Sequence, residues 1–142
     1  MNVDNLQTVW APRMLSILRI VAALIFMEHG TQKLLGFPPL DRPAPEAMSL
    51  SWIAGVLELF GGALLVLGLF TRPVAFILAG EMAFAYWIAH APQSFFPVLN
   101  GGDGAILYCF VFLYLAVAGG GAWSLDNAIR NKDRYAEPGP AG

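Results

Sequence analysis

Residues 19–37 read RIVAALIFMEHGTQKLLGF. They sit within an apolar segment, residues 14–35, that is long enough to cross a bilayer, since about 20 helical residues cover the roughly 30 Å hydrocarbon core. Yet the segment carries Arg19, Glu28, His29 and Lys33. Charges at membrane depth cost kilocalories each, so such groups normally face a bundle interior or water and mark candidate functional positions.

Working outward, three further apolar segments follow at residues 50–70, 73–91 and 104–122. Hydrophobic residues make up 57% of the 142-residue chain and charged residues only 13%, too few to cover a soluble globule of this length. The charges gather at segment edges, which predicts an all-α, integral membrane four-helix bundle built as one domain over residues 14–123. A formal charge of −2 with scattered basic residues excludes a nucleic-acid partner. The single cysteine, Cys109, lies in an apolar run, so no intramolecular disulfide and no CxxC pair is expected.

The connecting segments carry the breakers. Residues 1–13 form an interfacial lead-in, with Trp10 at headgroup level and Pro12 starting the first helix; no cleavage signal is evident. GFPPLDRPAPEAM, residues 36–48, cannot continue a helix, and Ser49 or Ser51 offers an N-cap to the second. LGLFTRPV turns the chain into the third helix at Pro73, and PQSFFPVLNGGDG into the fourth, with Asp103 as a cap. Residues 124–142 should be a short amphipathic segment followed by a disordered tail. Arg13, Arg72, Arg130, Lys132 and Arg134 fall on one side of the membrane, so the positive-inside rule places both termini in the cytoplasm of a bacterial cell and the chain in the inner membrane.

Small residues set the packing. Gly30, Gly55, Gly61 and Gly62 let helix backbones approach closely, and a homodimer through such faces is feasible. Glu28, Glu58 and Glu81 come from three helices, and each falls within roughly 5 Å of the bilayer midplane at 1.5 Å per residue. If they converge, they form a proton-relaying polar layer in which one carboxylate is protonated or paired with a cation. Arg19, His29 and Lys33 share a sector of about 80° on the first helix and are the cationic ligand-binding candidates, whereas Glu28 points nearly opposite Arg19. A buried ion pair fixing helix register is the competing structural account. His29 and His90 lack metal-ligand spacing, and neither a metal nor an intrinsic cofactor is expected.

The stretches LRIVAALIFMEHGTQKLLGF, GVLELFGGALLVLGLFTRP and GGGAWSLDNAI resemble the DoxX family of small integral membrane proteins, in their order and over about residues 19–130. The positions carried over are Arg19, Glu28, His29, Gly30, Lys33, Glu58, Gly62, Arg72 and Asp126. The resemblance implies a four-helix bundle linked to redox chemistry: relatives include the quinone-side subunit of a thiosulfate:quinone oxidoreductase, while others are assembly factors. A membrane oxidoreductase subunit meeting the quinone pool is therefore the leading expectation, with a redox partner carrying the electrons. The alternatives are a non-catalytic scaffold for a partner membrane complex and a small-molecule or proton-coupled transporter.

Overall fold

The computed structural model describes residues 2–39, 41 and 43–136, the side chains of 133–136 excepted. Three helices are long and apolar enough to cross a membrane: α1, Val3–Leu35; α2, Leu50–Leu67; and α3, Thr71–His90. A fourth apolar helix, α4, Asp103–Ala118, has only 16 residues. The amphipathic α5, Leu125–Ala136, follows. No strand occurs among the described residues.

Local chemistry explains the ends. Helix α1 begins well before Pro12, inside the segment expected as a lead-in, and contains a π-helical turn at Leu6–Trp10. Pro12 has no N–H and its ring crowds the carbonyl four residues back, so widening the preceding turn accommodates it within a continuous helix. Gly36 ends α1 in the left-handed conformation. Ser49 caps α2, its hydroxyl accepting from the Trp52 N–H at 3.2 Å. Gly68 ends α2 with φ 68°, three residues earlier than the hydropathy suggested. Gly119, at φ 88°, ends α4 four residues early. The expected disordered tail falls largely on residues outside those described.

The chain runs up and down. Pro12 accepts the Ala122 N–H at 3.0 Å, so the start of α1 and the segment after α4 share one end of the bundle, called here the Pro12 end. Ser49 marks the other. The common core holds Ala23 and Phe26 of α1, Leu65 of α2, Ala75, Leu78, Ala79 and Met82 of α3, and Phe112 and Leu115 of α4. Phe26 packs edge-on to Phe112 with centroids 4.8 Å apart.

Glycine sets the α1–α2 spacing. A Cβ on Gly30 would stand 2.6 Å from the Leu59 nitrogen and 2.8 Å from the Gly55 oxygen. One on Gly62 would overlap Met27, whereas one on Gly61 would meet Leu78 of α3 at 2.9 Å. Without water inside the bilayer to drive association, such close van der Waals approach is what holds spans together.

Candidate functional site

The buried charged residues sort into two groups at different levels of the bundle. At the Pro12 end, Arg19 is fully buried. Its Nε donates to the Gly120 carbonyl at 2.9 Å, Nη1 to the carbonyls of Leu65 and Val66, and Nη2 to that of Trp123 at 2.7 Å. Leu65 and Val66 belong to the last turn of α2, where carbonyls are short of helical partners, that of Leu65 accepting only the capping Gly68 N–H at 3.0 Å, and the dipole favours a cation. Arg72 donates in the same way to the Ala116 and Val117 carbonyls at the end of α4.

Asp126 completes the arrangement with the opposite sign. Its carboxylate accepts from the Phe70 and Thr71 N–H groups, both at 2.8 Å, at the positive N-terminus of α3. Phe70 has φ 51°, a strained value for a residue with a side chain, and the double hydrogen bond holds it there. Ser16 adds a further tie, accepting the Trp123 N–H at 2.9 Å. These groups hold helix ends together, and four of the five Arg19 N–H donors are spent on backbone carbonyls.

Farther along the helices toward the Ser49 end lies the second group. Lys33 Nζ stands 2.5 Å from Glu58 Oε1, a charge-assisted contact between α1 and α2. Glu58 is 2% exposed. It sits in a π-helical turn, Leu57–Gly61, whose extra residue re-aims side chains and interrupts the α-helical ladder. Glu81 of α3 is within electrostatic range of both Glu58 and Lys33. Glu58 Oε2 and both Glu81 carboxyl oxygens are buried and have no hydrogen-bond partner in the structure.

That imbalance is the chemical feature of the site. One ammonium faces two carboxylates, and His29, within electrostatic range of Glu58, is the other basic group nearby. Three buried acceptor oxygens without donors are costly in an apolar surround unless protons or positive charge meet them. Lys33 also lines a cavity of ≈ 320 Å³ with Gln32, Pro43, Pro45, Ser49 and Ser51, open at the Ser49 end.

The convergence expected of three carboxylates is met by two. Glu28 is exposed on the flank of α1, and so is His29, whose ring meets Tyr108 edge-on at 6.2 Å. Arg19 stands apart from His29 and Lys33, tied to carbonyls at the end of α2 and after α4. His90 donates through Nδ1 to the Asn100 carbonyl at 2.9 Å, away from this centre. Tyr108, stacked on Phe112, carries no distinguishing sequence signal, since its helix has no internal charge and holds a second tyrosine, Tyr114, among apolar residues. Among the described residues, no three His, Cys, Asp or Glu side chains come together as a metal site.

Apolar helices long enough to cross a bilayer, holding a buried ion pair, define an integral multi-pass membrane protein in contact with lipid. The DoxX family model matches residues 14–91, and the chain belongs to that family. It is 45% identical over 134 residues to an uncharacterized protein of Haemophilus influenzae, covering 91% of this chain and 99% of that one. It is 33% identical over 128 residues to the inner membrane protein YphA of Escherichia coli, covering 81% of this chain and 89% of the relative. No solved structure matches.

Proposed function

We propose that this DoxX protein is a membrane subunit of an oxidoreductase system and that it handles protons for the quinone pool at Lys33, Glu58 and Glu81. The observation that carries the reading is the double placement of Lys33, in the wall of the cavity and on the buried Glu58. The cavity falls at the lower end of the roughly 300–1,000 Å³ typical of small-molecule sites.

A quinone headgroup needs a donor at one carbonyl and a proton-carrying group near the other. Lys33 and Gln32 supply donors at the cavity wall. Glu58 and Glu81 supply acidic groups behind it. The bound quinone would accept two electrons and two protons in full reduction, the electrons coming from a redox-active partner subunit, since no flavin, haem or iron–sulfur motif stands in the sequence. The membrane is the inner membrane, as the name of the Escherichia coli relative says of that protein, and the basic residues of the Pro12 end support a cytoplasmic side for that end.

The test is quinone content after isolation from native membranes in mild detergent, with wild type compared to Glu81→Gln and Lys33→Met. The reading expects quinone to copurify with wild type and to fall at least tenfold in Lys33→Met, while Glu81→Gln retains the fold but lowers quinone reduction by the native membranes. Absence of quinone from the wild type, together with unchanged quinone reduction in Glu81→Gln, overturns it. A scaffold role is the second reading, supported by Arg19, Arg72 and Asp126, whose hydrogen bonds all serve helix ends. A stoichiometric protein partner without quinone favours that role.

A further inference from the structure

Helix α4 is too short to cross by itself. Its 16 residues rise about 24 Å, roughly 6 Å less than the hydrocarbon core. At its Pro12 end the exposed Arg72 caps the last carbonyls, and a guanidinium of this kind reaches to headgroup level. The missing length therefore falls at the other end, where residues 91–102, APQSFFPVLNGG, connect α3 to α4.

This connection has the composition of neither a water-exposed loop nor a packed one. It contains no charged residue. Phe95 is 88% exposed, Val98 76%, Leu99 72% and Phe96 58%, with Trp87 of α3 nearby in sequence and also exposed. Its polar groups, by contrast, are turned on one another. Asn100, buried, donates through Nδ2 to the Ser94 carbonyl at 2.8 Å, and its Oδ1 accepts the Gly102 N–H at 2.7 Å. The Asn100 carbonyl accepts from His90, and the Phe96 N–H bonds the Ser94 hydroxyl at 3.2 Å. The Leu99 and Asn100 N–H groups return to the Phe96 carbonyl at 2.9 and 3.1 Å.

Water satisfies loop backbone without such an internal network; acyl chains do not, and each unpaired group there costs several kilocalories. An apolar exterior over a backbone bonded in good part within itself is what a lipid contact favours. We propose that residues 95–99 are seated in the leaflet at the Ser49 end, with Phe95, Phe96, Val98 and Leu99 among the acyl chains, completing the crossing that α4 begins. Asp103, exposed at the first turn of α4, and His90 limit the depth to the acyl–headgroup boundary, about 5–10 Å of insertion. The surface is committed to lipid, and the inference stands independently of any quinone.

Site-directed spin labelling tests this on the full chain in phosphatidylethanolamine/phosphatidylglycerol nanodiscs. With Cys109 replaced by Ala or by Ser, nitroxides are placed at Phe96→Cys, Val98→Cys and Leu99→Cys, positions outside the core, and at Ala44→Cys in the proline-rich segment as the aqueous reference. The expected result is oxygen accessibility exceeding that to a neutral nickel complex at all three positions, with the nickel accessibility at least threefold below that at position 44. Nickel accessibility at 96 and 99 equal to that at 44 overturns the proposal and identifies the face as open to water or to a protein partner.

Discussion

The Arg19 guanidinium donates to the carbonyl of Gly120, 2.9 Å away in space and 101 residues later in the chain. With Leu65, Val66 and Trp123 it joins α1, the end of α2 and the segment after α4 through one planar group. Lysine cannot reproduce that fork. Arg19→Lys should therefore lower stability by about 3–6 kcal/mol, the order of two charge-assisted hydrogen bonds at 1.5–3 kcal/mol each. Thermal unfolding in detergent, followed by the fraction remaining monodisperse, checks it; a melting point equal to wild type removes the structural role assigned to Arg19.

Gly30 and Gly80 give a paired prediction. A Cβ at Gly30 runs into backbone atoms of α2, which cannot swing aside, whereas one at Gly80 meets nothing within 4 Å. Gly30→Ala should destabilise by about 1–3 kcal/mol through forced separation of α1 and α2. Gly80→Ala should be neutral or stabilise by up to about 1 kcal/mol through helix propensity. The same melting assay reads both, and equal effects at the two sites would contradict the packing described.

Glu58 and Glu81 should respond differently to loss of charge. Glu58→Gln leaves the Lys33 ammonium half-buried without its counter-ion and should cost about 1–3 kcal/mol, while Glu58→Gln with Lys33→Met should recover part of that loss. Glu81→Gln removes a carboxylate that has no partner and should melt at or above wild type. A four-variant melting series gives the coupling energy directly. A coupling near zero would show that the ion pair contributes nothing to the fold.

Asp126→Ala should cost about 1–2 kcal/mol by freeing the Phe70 and Thr71 N–H groups at the start of α3. Because Phe70 holds a positive φ, Asp126→Ala combined with Phe70→Gly should recover part of the loss. Hydrogen exchange of the first turn of α3 is the local readout, with faster exchange expected in Asp126→Ala and no change counting against the cap.

The membrane class and the approximate places of the helices were determined by the sequence alone, because hydropathy and the backbone restrictions of proline and glycine act locally. The opposite facing of Arg19 and Glu28 was legible too, since nine residues turn an α-helix by about 180°; one is buried and the other exposed. What the helical wheel omitted was depth. Arg19 and Lys33 share a sector, but 14 residues separate them by about 21 Å along the axis, so they serve different levels of the bundle.

Which partner each charge meets was decided only by the tertiary structure. Gly30 brings α1 against α2 closely enough for Lys33 to reach Glu58, and the π-helical turn at Leu57–Gly61 resets the register of the residues around that carboxylate. Arg19 finds carbonyls instead of a carboxylate because α2 and α4 both end beside it. Helix termination and residue order can be read from one chain segment at a time. The pairing of buried charges depends on the crossing of segments distant in sequence, and no local pattern encodes that geometry.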